Sequence, residues 1–318
     1  NFRKSHEILN FHTATEIISF FKDTPLEFEP GSQYKYCNSG WVLLTAIIER
    51  VSGTSYEAFL QKNIFGPLGM NNTCIDSLQR DISGRALGYT RSDSGTGDVL
   101  VPAEFMDISW TQGAGILLST LEDMYLWDRA LYTERLVNKT SLDAIFTPYK
   151  KGYAYGWVAT KLFDKKLVCH NGGTVGCASC FHRFIDDDVC VIVLSNLDTI
   201  NQDQICEDVS AIVFGQPYSL PRVRTAIAVD PVVFDSYVGN YRLSEMGGVV
   251  ISVTKESDKL YVQPQEEGED KTEIYPESET EFFSRVVEAQ ITFVKNEHKQ
   301  VTGFILHKGS KNFVAEKV

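Results

Sequence analysis

The feature that most restricts what this chain can fold into is the texture of residues 231–318. There "YVGNYRL", "GVVISVTK", "KLYVQ", "TEFFSR", "AQITFVK", "VTGFILHK" and "KNFVAEK" follow one another as short alternating segments separated by turn residues. Apolar residues at every second position line one face of a strand and leave the other face polar. Single strands of this kind cannot bury that face, so the segment predicts a small antiparallel barrel or sandwich. Residues 216–230 ahead of it hold two prolines and no clear period, which reads as a linker.

Residues 1–215 carry a different pattern. Thr13-Ala14-Thr15-Glu16 spells a capping box, followed by Ile17, Ile18, Phe20 and Phe21. After the "FEPGS" break, Trp41, Leu44, Ile47, Ile48 and Val51 recur at helical spacing until Gly53. A short helix is expected over 56–64, ending in "FGPLGMNNT", and residues 81–110 read as loops or short strands. Ser119-Thr120-Leu121-Glu122 is a second capping box, opening a helix through Met124, Trp127, Leu131 and Tyr132. From Tyr155 the period changes to strands, "YGWVATKL", "KLVCHN", "CASCFHRF" and "VCVIVLSN", and a helix over 202–214 follows. The fold class is therefore α+β, an antiparallel sheet flanked by helices over 1–215, then the all-β unit over 231–318.

A formal net charge of −12 repels phosphate backbones and argues against nucleic acid as a partner. No window reaches the apolar length of a membrane span. The seven cysteines, an odd number, sit mostly in apolar surroundings, where a thiol behaves as a small hydrophobe, and they neither prove nor exclude an oxidising compartment.

Two stretches carry candidate chemistry. Tyr36-Cys37-Asn38 stands just ahead of a helix, where a phenol can shuttle a proton and a carboxamide can bond a substrate amide through donor and acceptor. "HNGGTVGCAS", His170 to Ser179, places a histidine at a strand end followed by Gly172, Gly173 and Gly176. Glycines there let a backbone N–H approach a developing oxyanion unhindered. Each feature alone also fits a packing tyrosine and a structural histidine.

Taken together and in order, "PGSQYKYCNSGWVLLTAIIERVSG", "PLGMNNT", "GAGILLSTLEDMYLW" and "HNGGTVG" with "VCVIVLSN" resemble the serine β-lactamase-like hydrolases. That family includes class C β-lactamases, penicillin-binding proteins, D-aminopeptidases and related esterases, and the likeness spans about residues 10–215. The tail from about 231 resembles, more weakly, a lipocalin-like barrel appended to some members. The resemblance implies a cleft where Ser-x-x-Lys, Tyr-x-Asn and a Lys-Thr-Gly or His-x-Gly strand meet. Carried over, Tyr36 is the proton shuttle, Asn38 orients the substrate carbonyl, and the Gly173 N–H is an oxyanion donor. His170 stands where many relatives keep a lysine, with Gly172 and Thr174 beside it for substrate binding. The substrate is expected to be a small molecule or a peptide, with no cofactor. Because a histidine is mostly neutral at pH 7, weight shifts from carboxypeptidase or β-lactamase work towards esterase or aminopeptidase-like acyl transfer. The resemblance further implies an extracytoplasmic or cell-envelope setting, and the barrel's likeness to domains that mediate assembly leaves a homo-oligomer open.

The first motif is the difficulty. Ser19-Phe20-Phe21-Lys22 fits it but lies only 17 residues before Tyr36, too near for the family's spacing, on a helix whose apolar face its phenylalanines already serve. Ser252-Val253-Thr254-Lys255 fits it too, but on a strand, where positions i and i+3 face opposite ways. The catalytic serine and lysine are therefore expected N-terminal to Asn1, and this polypeptide alone is expected not to hydrolyse an activated ester. Turnover abolished by Ser19→Ala contradicts that expectation. A truncated or cleaved chain and a degenerate member that binds or senses without catalysis fit equally.

Cys169, His170, Cys177, Cys180, His182 and Cys190 crowd one region, so a zinc site has to be weighed. Zinc wants four converging ligands, and Cys177 and Cys180 point to opposite faces of a strand, so no metal is expected. No thioredoxin-like context surrounds the Cys-x-x-Cys pair.

Overall fold

The computed structural model describes residues 11–77, 80–92, 99–104, 107–218, 224–244, 248–265, 271–285, 289–308 and 311–318. Its contacts divide the chain into two compact units, Asn1–Thr90 with Pro102–Tyr218, and Arg91–Val101 with Ser219–Val318.

Helices α1 (Ala14–Phe21), α2 (Asn38–Ser52), α3 (Tyr56–Leu60), α4 (Gly66–Leu68), α5 (Leu121–Ala130), α6 (Lys139–Ile145) and α7 (Gln202–Val213) precede and follow the main sheet. Short strands β1 (Cys74–Ile75), β2 (Tyr89–Arg91), β3 (Leu100–Pro102) and β4 (Leu117–Leu118) come between α4 and α5. The sheet itself is β5 (Val158–Leu162), β6 (Lys165–Thr174), β7 (Cys177–Phe184) and β8 (Val189–Ser195), in that order. Every pairing in it is antiparallel, as short connections between successive strands require.

One face of the sheet packs Val168, Phe181 and Trp157 against Leu131, Met124 and Trp127, with Leu142 and Phe146 closing the cluster. The other face meets α7 through Cys206, which packs with Cys180 and Val191. Between the sheet and α5 lies a buried ion pair. The Arg183 Nε bonds Asp128 Oδ1, both side chains are inaccessible to solvent, and Arg129 bonds the second carboxylate oxygen.

The Thr13 capping box forms as the sequence predicts, with Glu16 reaching back to the Thr13 N–H at 2.7 Å. The second box is shifted by one residue. Thr120, not Ser119, caps α5 by accepting from the Asp123 N–H, while the Ser119 hydroxyl lies 2.8 Å from Thr73 Oγ1. The capping competition goes to the residue whose side chain has no other partner at hand. Helix α2 is seated differently from its apolar stripe. Val42 and Thr45 are its buried positions, packed against α1 and the turn at Gly113, whose N–H donates to Thr45 Oγ1 at 3.0 Å. Leu44, Ile47 and Val51 remain 47, 54 and 82% exposed. Helix α6, capped by Asn138, carries no buried residue and so gives no strong period to read.

The second unit is a closed antiparallel barrel of eight strands, one more than the sequence announces. They are β9 (Gly239–Leu243), β10 (Val249–Glu256), β11 (Lys259–Pro264), β12 (Thr272–Pro276), β13 (Glu281–Ser284), β14 (Gln290–Lys295), β15 (Val301–Lys308) and β16 (Lys311–Lys317). Strand β16 returns to β9, with Ala315 opposite Leu243, which closes the sheet. The unpredicted strand is β12, whose single fully buried residue, Ile274, follows an acidic run. The interior is filled by side chains, as a barrel of this size allows. Tyr237, Tyr241, Phe282, Phe293 and Phe304 are buried, with Tyr237 and Phe293 stacked at 4.1 Å. Both inner phenols donate to backbone carbonyls, Tyr237 to Glu279 and Tyr241 to Tyr237, each at 2.6 Å. Ser252 and Lys255 of β10 do diverge: the serine bonds Asn240 and the lysine Asp235.

Among the described residues no helix is long and apolar enough to cross a membrane.

Candidate active site

The chain reaches α2 through an extended Cys37 (φ −149°), so Tyr36 is delivered just outside the helix and Asn38 is its first residue. Asn38 is exposed, and Tyr36 is 46% exposed. His170 lies in β6 on the face that also carries Val168, Gly172 and Thr174, since alternate strand residues share a face. Tyr36 and His170, 134 positions apart, bring their ring centroids to 6.0 Å.

A third ring that the sequence reading did not single out completes the group. The Tyr153 hydroxyl is 3.1 Å from His170 Nε2, and its ring lies 6.0 Å from Tyr36 and 5.5 Å from Tyr34. His170 Nδ1 sits 2.6 Å from the Asn171 carbonyl. A carbonyl only accepts, so Nδ1 carries the proton; in the neutral ring Nε2 is then an acceptor and Tyr153 the donor. Tyr153 comes from a turn, "KKGYAYGW", with no periodic signal to mark it; only its glycine-flanked tyrosines set it apart.

The edge of β6 beside these rings is open. Strand β5 pairs with β6 only as far as Val158 opposite Cys169, whereas β7 pairs on through Thr174. From His170 to Thr174 one side of the backbone thus has no strand partner among the described residues. At Gly173 an added Cβ meets nothing within 4 Å, while at Gly172 it falls 2.7 Å from Ser179 Oγ. The sequence-predicted residues Tyr36, His170, Gly172, Gly173 and Thr174 therefore gather at one strand edge, with Asn38 two residues from the Tyr36 ring.

Burial is the main cause that pushes both phenols up from their ordinary range, with Tyr34 adding to it for Tyr36 and a Trp41 hydrogen bond opposing it. For Tyr153 burial, then Tyr36 and Tyr34, push it up to about 12. A phenol raised in the folded state holds its proton longer there than in the unfolded chain. Its stabilisation is complete below about pH 10, the unfolded value, and is lost as pH rises through about 12. Thermal midpoints measured across that window should fall less in Tyr153→Phe than in the parent; an equal fall rules out a raised Tyr153.

No Ser-x-x-Lys serine joins the group. Ser19 donates to the Glu16 carbonyl of its own helix at 2.6 Å. A further match that the sequence reading passed over, Ser32-Gln33-Tyr34-Lys35, is similarly tied: Ser32 donates to the Glu29 carbonyl and Lys35 pairs with Glu27.

The profile of the Beta-lactamase family matches residues 3–210, and that of a domain of unknown function (DUF3471) matches 223–316. "Penicillin-binding protein 4*" of Bacillus subtilis is 32% identical over 305 residues, 89% of this chain and 66% of the relative. A D-aminopeptidase of Gluconobacter oxydans is 29% identical over 62% of this chain and 38% of its own length. The chain thus spans no more than about two thirds of these curated relatives. The octameric penicillin-binding protein homologue from Pyrococcus abyssi shares the fold, with a TM-score of 0.59 at 23% identity over 96% of this chain and 70% of that one. The chain belongs to the beta-lactamase family, alongside serine hydrolases of the penicillin-binding protein and D-aminopeptidase type.

Proposed function

We propose that this chain supplies the proton-shuttling and oxyanion-binding part of an acyl-transfer site that cleaves esters or amides through an acyl-serine. Tyr36 moves the proton between the serine and the leaving group, and Asn38 orients the substrate carbonyl. His170, held in one tautomer by the Asn171 carbonyl, lines the pocket with Gly172 and Thr174, and the Gly173 N–H stabilises the tetrahedral oxyanion. The serine and its lysine come from sequence upstream of these residues. The observation that carries the reading is the meeting of the Tyr36 and His170 rings at 6.0 Å beside an open strand edge. Without a fixed cation at position 170, neutral acyl groups are the favoured substrates.

The test uses the full-length protein with a neutral ester and an anionic acyl-D-Ala-D-Ala peptide. Tyr36→Phe should lower kcat by about a hundredfold or more, the usual worth of a positioned general acid–base group. The neutral ester should be preferred; preference for the anionic peptide, or full activity in Tyr36→Phe, defeats the assignment.

A second reading, a binding or sensor protein that keeps the cleft without chemistry, is favoured by the three Ser-x-x-Lys serines being bonded elsewhere. Intact-mass analysis after exposure to a serine-acylating fluorophosphonate separates the two, because only the enzyme gains a covalent adduct. Assembly into a homo-oligomer belongs to the same proposal, supported by the octameric state named for the P. abyssi homologue. Sedimentation of the full-length protein as a monomer at micromolar concentration is the result against it.

A further inference from the structure

We infer that the face of the sheet turned towards α7 carries a structural zinc site built from Cys180, His182 and Cys206, with Cys169 as the fourth ligand. Cys180 and His182 are two apart on β7 and so share a face; Cys206 descends onto that face from α7. One donor atom from each of the three lies within 4.8 Å of the others, and all three residues are buried. His182 is 5% exposed, and its Nδ1 has no hydrogen-bond partner. An interior nitrogen left unsatisfied beside two thiols in an otherwise apolar setting of Val191 and Val193 is an uncommon arrangement for a plain core. Coordination to a metal accounts for it.

The fourth position follows from the strand register. Cys169 stands directly opposite His182 in the β6–β7 pair, so their side chains project to the same face with Cβ atoms about 5 Å apart. Its thiol points at the Val158 carbonyl, 3.7 Å away, and completing the site requires it to leave that carbonyl by turning about χ1. Three thiolates and one imidazole are a donor set that suits tetrahedral Zn²⁺ and disfavours hard cations. On binding, each thiol releases its proton to solvent and bonds through Sγ, with no change of oxidation state. The site fastens α7 to the sheet on the face opposite the Tyr36–His170 group. It draws on two of the cysteines and the histidine that strand geometry alone left scattered, joined by Cys206, which lies outside the "CASCFHRF" neighbourhood altogether.

The probe is Co²⁺, whose visible bands and thiolate charge-transfer absorption report tetrahedral sulfur ligation, followed by displacement with Zn²⁺. Reduced, metal-stripped protein should bind one equivalent of Co²⁺ with those bands and release it to Zn²⁺. Cys180→Ser and Cys206→Ser should lose the bands, and Cys169→Ser should show them weakened and shifted. Should a variant fail to fold, the parent protein alone still decides, because one equivalent of Zn²⁺ should raise its thermal midpoint and excess should add nothing. Absence of tetrahedral bands, bands that persist in Cys206→Ser, an unmoved midpoint, or a Cys180–Cys206 disulfide in protein purified without oxidant would each overturn the inference.

Discussion

Asp128→Ala is expected to destabilise the first unit by about 3–5 kcal/mol, the usual cost of removing one partner from a buried ion pair. The Arg183 side chain is inaccessible to solvent, its Nε bonds Asp128 Oδ1, and its Nη2 donates to the Asp128 carbonyl at 3.2 Å. The guanidinium is otherwise boxed by rings, with centroids of Tyr132, Phe146 and Trp157 at 4.9, 5.2 and 5.7 Å. Those faces attract a cation but cannot neutralise one. With the carboxylate gone, the positive charge stays enclosed, because β7 pairs with strands on both sides and cannot carry Arg183 to water. Arg129 loses its inner partner as well but keeps Asp188 at the surface, 2.6 Å away, so it suffers less. The double variant Asp128→Leu with Arg183→Met removes both charges together and should recover much of the loss. Denaturant midpoints for the two variants check the point: equal losses would mean that packing volume, not an orphaned charge, sets the cost.

The second large effect is expected at Gly176. It occupies the turn between β6 and β7 with φ +75°, the left-handed region, and its N–H donates to Asp198 Oδ2 at 2.9 Å. A Cβ there would lie 2.6 Å from Ala103 Cβ, 2.7 Å from Gly88 Cα and 2.9 Å from the Gly88 carbonyl carbon. Two of those three atoms are backbone, which cannot swing aside. Gly176→Ala therefore combines dihedral strain with overpacking, about 2–5 kcal/mol in all. The turn also anchors the far end of the Gly172–Thr174 edge, so the proposed activity should fall with stability. Gly173→Ala is the control. Its Cβ enters open space, so stability should change by no more than about 0.5 kcal/mol. A Gly176→Ala protein as stable as that control would show that the Gly88 segment yields.

The fold was readable wherever a period was strong. Strands β5 to β8 and helix α7 follow the sequence pattern closely, because alternation gives way to a 3.6-residue period at a polar break near Asn201. Strand β12 escaped because only Ile274 of its five residues is fully buried, and α6 escaped because it buries nothing. The α2 stripe correctly marked a helix ending at Gly53 but not its buried face. Leu44, Ile47 and Val51 have the right spacing, yet contact is made by Val42 and Thr45, and spacing alone does not say which side a neighbour approaches. In the site, Tyr36 and His170 were found through motifs whose residues lie near special backbone. Tyr153 and Cys206 belong to no motif; they reach their partners only through tertiary packing, which local sequence does not encode.

Barrel closure has a consequence for how the second unit is made. Leu243 in the first strand pairs with Ala315 in the last, so the seam joins residues 72 positions apart along the chain. Closing so long a loop is slow, and it cannot begin while β16 is still inside the ribosomal tunnel. Closure of this unit therefore waits for its last strand, and loss of β16 leaves both β9 and β15 as bare edges, an invitation to aggregate.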